Sequence, residues 1–302
     1  MKKFFMTALV CLSFALAANA QLLYKISGKD LKQPSYIIGT HHLANVAFID
    51  KIAGVKEALN DVAQVYGEIC WDDITNPDSM KIMQQTMMLP DGKTLKDVLS
   101  KAQYDKLNGY LKNTMGVGLD HPQVAAQMGS MSPMALLTQL QVLTFVMKHM
   151  GEFDPSSTFD QYFQAQAKKN NMHIGGLETL SFQSNLLYRS ATMERQIEQL
   201  LAFIDNTEKN AELMEKMTEA FYAQDIKALK TVMDTKMGNA GDSTPEENAA
   251  LIDNRNARWA ETMPAIMADK PTLFVVGAGH LPGDKGVLAL LTNAGYTIEA
   301  MK

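Results

Sequence analysis

Residues 34–42 read PSYIIGTHH. An apolar run suited to a strand meets a glycine, and two histidines follow. Near the other end of the chain, residues 274–280 read FVVGAGH. Both segments have the form strand, glycine, two residues, histidine: Gly39 leads to His42, and Gly277 leads to His280. In an open α/β sheet, sites form just beyond the carboxyl ends of parallel strands. Glycine there permits a sharp turn and close backbone approach. If the two strands are neighbours, both imidazoles face one rim.

Working outward, LLYKIS (22–27) and SYIIG (35–39) read as a hairpin joined by turn residues. FIDKIAGVKEALNDV (48–62) has apolar positions at helical spacing, and QVYGEIC (64–70) alternates like a strand that DDITNPDS (72–79) closes with turn residues. From about residue 79 to 265 the patterns are mostly helical, over 94–116, 121–151, 155–171, 179–204, 207–223 and 242–270. MHIGGLE (172–178) interrupts them as a short strand entering a glycine turn. The chain closes with strand TLFVVG, helix GVLALLTNAG and strand YTIEAM. These elements predict an α/β fold: a central mixed sheet built from N- and C-terminal segments, with a large helical middle region (about 79–240) packed beside it as a cap.

The first twenty residues combine two lysines, an apolar run and Ala18-Asn19-Ala20, which predicts a signal peptide over 1–20 and one domain over 21–302. No later stretch offers roughly 18 unbroken apolar residues, so no membrane insertion is expected after cleavage. Loss of Lys2 and Lys3 takes the formal charge from −5 to −7. An acidic chain without a basic stripe argues against nucleic acid. Cys70 is the one cysteine outside the leader, which excludes an internal disulfide in the exported form. The expected location is periplasmic or secreted. The methionines between Met80 and Met150 read as flexible core filler.

A third strand, QVYGEIC, delivers Glu68 to the rim of the two histidines. Two imidazoles and a carboxylate are a ligand set for a catalytic divalent metal, whose bound water is a nucleophile. By pattern alone the alternative is that each imidazole caps a nearby loop. His41 reads as structural, and His121, His149 and His173 as surface or capping residues.

The segments SYIIGTHH, YGEIC, GGLETLSFQ, NRNARW and FVVGAGHLPGDKGVLALLTNAGYTIE resemble the TraB/GumN family, which includes the TIKI metalloproteases. The resemblance covers nearly all of the chain after the leader and implies an α/β fold in which the two histidine motifs meet. It implies a hydrolase-like, metal-dependent site with Gly39, His42, Gly277 and His280 as the motif residues and Glu68 as the site carboxylate. Zinc, manganese or cobalt is the expected metal, and a peptide or small molecule the expected substrate. Arg255 matches the arginine of the long helix before the last motif, as an oxyanion stabiliser or as a salt bridge between helix and sheet. Glu178 reads as a further acid, as a carboxylate orienting a ligand histidine, or as a helix cap. Three functional readings stand: a metal-dependent peptide or amide hydrolase, a metal-free esterase-like enzyme with a histidine base, and a non-catalytic periplasmic binding or regulatory protein.

Overall fold

The computed structural model describes residues 21–152 and 157–302; the leader expected over 1–20 lies outside them. The strands are β1 (Leu23–Ser27), β2 (Ser35–Thr40), β3 (Gln64–Gly67), β4 (His173–Gly176), β5 (Thr272–Gly277) and β6 (Thr297–Ala300). They form one six-stranded sheet in the order β4-β3-β5-β2-β1-β6. Strands β4, β3, β5 and β2 are mutually parallel, and β1 runs antiparallel to both β2 and β6. The sheet is mixed, its centre comes from the two ends of the chain, and the fold is α/β as the element order predicts.

The helices are α1 (Val55–Asp61), α2 (Trp71–Thr75), α3 (Pro77–Met87), α4 (Leu95–Val98), α5 (Lys101–Met115), α6 (Pro122–Met128), α7 (Pro133–Lys148) and α8 (Phe159–Lys169). After β4 come α9 (Leu180–Arg189), α10 (Met193–Asp205), α11 (Thr207–Tyr222), α12 (Ile226–Met233), α13 (Pro245–Asn248) and α14 (Asn254–Asp269), and α15 (Val287–Asn293) joins β5 to β6.

Residue alternation along the central strands fills two cores. Tyr36, Ile38, Leu273 and Val275 pack against Phe159, Phe163 and Phe221 on one face. Ile37, Phe274 and Val276 pack against Trp259, Met263 and Val287 on the other. Strands buried on both faces read as continuous apolar runs, as YIIG and TLFVVG do. A third core, with Leu107, Leu111, Leu136, Leu140 and Leu200 at its centre, is built from the middle helices alone.

Several helical expectations are corrected. The helix expected over 48–62 breaks at Gly54, whose φ of +79° starts α1 afresh after a 3₁₀ turn. The turn expected over 72–79 is helical, because Asn76 caps α3 through Asp78 and Ser79 N–H and Pro77 occupies its first turn. The helix expected over 94–116 is two, because Ser100 and Gln103 form a new capping box. The helix expected over 179–204 is also two, with Thr192 capping α10. The methionine-rich helices are not uniformly core. Met80, Met147 and Met150 are exposed, and Met80, Met83, Met87, Met88 and Met131 line a surface groove.

Candidate functional site

The parallel pairing places Thr40 opposite Gly277, Gly67 opposite Val275, and Gly67 opposite Gly176. Four adjacent strands therefore end at one rim, and the residues just beyond them are His42, His280, Glu68 and Glu178. Gly39 is required for this approach: a Cβ there would sit 2.9 Å from the Ala278 Cα and 2.8 Å from Leu281 Cδ1. Helix α14 brings Arg255, Asn256 and Trp259 over the rim, directly after a π-helical turn at Ala249–Asp253. Such turns re-aim the side chains that follow them.

Arg255 is the hub, and its five N–H groups are all engaged. Nε donates to Glu178 at 3.0 Å, and Nη2 donates to Glu178 at 2.6 Å and to Glu68 Oε2 at 2.5 Å. Nη1 donates to the Leu251 carbonyl and to His280 Nε2, both at 3.0 Å. Of the two roles open to Arg255, this geometry is the salt bridge of helix to sheet; no N–H is left for a substrate oxyanion. Glu178 is the second carboxylate of that bridge, while the cap of α9 is Thr179. Gln183 Nε2 donates to Glu68 and Glu178 and locks both.

His280 Nδ1 lies 2.6 Å from Asn256 Oδ1, an acceptor, so Nδ1 carries the proton and Nε2 receives the Arg255 N–H. Burial lowers the His280 pKa to about 4, more than Glu68 raises it, so the ring is neutral near pH 7. Its face packs on Trp259 at 4.5 Å between ring centres. Burial would raise the Glu68 pKa, but His280, Arg255, His42 and the Gly277 N–H together hold it below the usual range. That N–H donates to Glu68 Oε1 at 2.8 Å.

His42 is built differently. Its Nδ1 lies 2.7 Å from Asp160 Oδ2, and Thr40 Oγ1 donates to the other Asp160 oxygen at 2.8 Å. Asp160 stands in the first turn of α8. The carboxylate raises the His42 pKa to about 9. Many atoms surround the ring, yet 71% of its side-chain surface is open, so solvent screens that attraction. His41 turns onto Phe145 and Phe221 and takes the Leu43 N–H on Nδ1, the structural arrangement expected of it.

His42, Glu68, His280 and Arg255 line one cavity of about 380 Å³. The rest of its wall is largely apolar, with Leu186, Leu187, Met217, Leu229, Met233 and Ile252. Asp160, Gln183 and Asn256 belong to the constellation and are absent from the sequence reading. Gln183 and Asn256 sit inside the quoted motifs GGLETLSFQ and NRNARW, where each was available as a polar residue beside a named one. Asp160 reads from sequence only as an acidic residue in a helix's first turn.

A divalent metal held by His42, His280 and Glu68 does not fit this arrangement. The His280 Nε2 lone pair is taken by Arg255 Nη1, and both Glu68 oxygens already accept hydrogen bonds. The guanidinium stands where a second positive centre would be repelled. Among the described residues no cluster of three or more His, Cys, Asp or Glu has metal-holding geometry.

Comparison with known proteins agrees with the motif reading. The family model described as TraB/PrgY/gumN family matches residues 22–300. A "Metalloprotease TIKI homolog" of Nematostella vectensis is 23% identical, over 89% of this chain and 65% of the relative. "Metalloprotease TIKI2" of Xenopus tropicalis is 25% identical, over 88% and 57% respectively. "Metalloprotease TIKI1" of Homo sapiens is 23% identical, over 88% and 59%. The chain thus spans about 57–65% of the length of these relatives. No solved structure matches it. With the family model running from β1 to β6 and taking in every segment that builds the rim, the chain belongs to the TraB/PrgY/gumN family.

Proposed function

We propose that this protein is a hydrolase of amide or ester bonds in which the His42–Asp160 pair activates water. One observation carries the reading: an open imidazole, oriented from behind by a half-buried carboxylate, stands in a cavity whose other polar wall is the Glu68–Arg255–His280 cluster. As pH rises toward the His42 pKa of about 9 the neutral ring is populated; Asp160 then fixes the tautomer with the proton on Nδ1 and leaves Nε2 free to take a proton from water. The imidazolium that forms is stabilised by Asp160, stands beside the tetrahedral oxyanion and gives its proton to the leaving amine or alkoxide as the C–N or C–O bond breaks. Glu68 and Arg255 hold the rim of the sheet against α14 and keep the cavity's shape. The printed names of the relatives support a peptide bond as the target.

Those names also favour a metal, while the seat of Arg255 opposes one at the three expected ligands. Metal analysis of the purified protein decides this. We expect less than stoichiometric zinc, manganese or cobalt, and activity that survives chelation. One tightly held metal per chain, lost in both His42→Ala and His280→Ala, would overturn the metal-free reading. Absence of turnover on any peptide, amide or ester would leave the binding-protein reading. We also read the chain as exported; N-terminal sequencing of protein recovered from the cell envelope or medium is expected to begin at Gln21. No described helix is long and apolar enough to cross a membrane.

A further inference from the structure

His42, Glu68 and Gln183 line two cavities, not one. On one side is the 380 Å³ cavity described above. On the other is a hollow of about 150 Å³ walled by Ile69, Trp71, Ile74 and Gln164. The larger cavity runs on into a third space of about 280 Å³, sharing His41, Leu43 and Met217 with it and lined further by Val142, Phe145 and Met214. The reacting groups therefore stand at a constriction between a long apolar trough and a small side pocket.

Charge narrows what enters. Apart from the site's own histidines, Glu68, Asp160 and Arg255, no charged side chain lines the trough or the side pocket among the described residues. A charged group of a ligand placed there finds no free partner and loses its hydration. The adjoining lysine-bearing hollow shares Met233, Ile252 and Gly279 with the cavity wall, but its Lys230 and Lys285 are paired with Asp234 and Asp253. Leu187, 41% exposed, stands at the trough's mouth, a large apolar side chain left in water where a ligand would cover it.

We propose that the substrate straddles the His42–Glu68 constriction, with a bulky uncharged apolar arm in the trough and a small group on the far side of the scissile bond in the side pocket. This rests on the hydrolase reading. Such an arm is a run of apolar residues in a peptide or the chain of a fatty acyl ester. Leu186, Leu187 and Met217 select the arm, and Trp71 with Ile74 limits the small group.

The test uses the protein from residue 21 onward and four probes: acetyl-Leu-Leu-Leu-glycinamide, the same peptide with three aspartates, the leucine peptide ending in tryptophan amide, and a decanoyl methyl ester. Cleavage is followed by chromatography. Binding is followed by tryptophan emission with the three probes that carry no tryptophan; the chain has two tryptophans, Trp71 in the side pocket and Trp259 against His280, so a change reports occupation of the site. We expect the leucine glycinamide to exceed the aspartate peptide and the tryptophan amide by about tenfold or more in kcat/KM, the usual worth of a pocket that excludes the wrong group. Leu187→Asp is expected to weaken binding of the leucine peptide about tenfold, and Ile74→Ala to narrow the glycine–tryptophan ratio. The decanoyl ester tells whether a lipid chain serves as the arm in place of a peptide. Cleavage without preference, or preference unmoved by both variants, would overturn the straddling mode and leave the hydrolase intact. Selective binding of the leucine peptide without cleavage of any probe would support the placement and overturn the hydrolase. Neither binding nor cleavage would overturn both.

Discussion

Two residues divide the work at the site. Asp160 acts through His42, so its loss is expected to change chemistry more than folding. Asp160→Asn removes the charge that favours the imidazolium and is expected to lower kcat by about 10²–10⁴-fold. It also moves the rising limb of the pH–rate profile to lower pH, because His42 acts as the neutral base and its pKa falls when the carboxylate is gone. An unchanged limb would show that Asp160 only packs. Arg255 acts on stability. Arg255→Met leaves Glu68 and Glu178 buried without their cation and is expected to cost about 3–5 kcal/mol in urea unfolding. Arg255→Lys restores one charge but not the forked contacts, so only partial recovery is expected. The sequence marked both His42 and Arg255, because each sits in a compact motif. It did not mark Asp160: a carboxylate in a helix's first turn has a sufficient local explanation in the helix dipole, and its reach across 118 residues to His42 leaves no local trace.

At the scale of elements, the contact between β2 and the loop after β5 sets the site. Gly39→Ala would press a methyl onto the Ala278 backbone, which cannot turn aside as a flexible side chain does. A loss of about 1–3 kcal/mol is expected, together with reduced activity as His42 and His280 separate. Gly109→Ala is the control. It lies inside α5 with nothing within 4 Å of its would-be Cβ, and is expected to gain about 0.5–1 kcal/mol. Thermal melts of the two variants check the contrast. Strand identity was legible here because strands buried on both faces show as unbroken apolar runs. Helix length was less so. The boundaries at Asn76, Ser100 and Thr192 are made by side chains that cap one helix just where another ends, and a periodicity of apolar positions runs straight through such short breaks.

For the whole molecule, the buried neutral histidines link stability to pH. His280 and His41 are both lowered to about 4, chiefly by burial, whereas in the unfolded chain each titrates near its ordinary value of about 6.5. As pH falls from about 6.5 toward 4, the unfolded chain takes up protons that the folded one refuses, so stability falls. His280 alone accounts for a loss on the order of 3 kcal/mol across that window. His42 is shifted the opposite way, and its contribution changes only above about pH 6.5, so the two windows do not overlap. Urea unfolding at pH 7.5 and pH 4.5 checks this, and His280→Gln is expected to flatten part of the difference.

From the sequence by itself came the α/β class, the two strand–glycine–histidine segments, the glutamate between them and the family. All of these are local patterns or ordered motifs, and local patterns survive being written as a string. The tertiary structure alone decided that β5 lies between β2 and β3, that Asp160 stands behind His42, and that Arg255 spends every N–H on its neighbours. Those facts depend on which distant segments pack together. Hydrogen-bonding capacity and charge balance become countable only once the partners are in place.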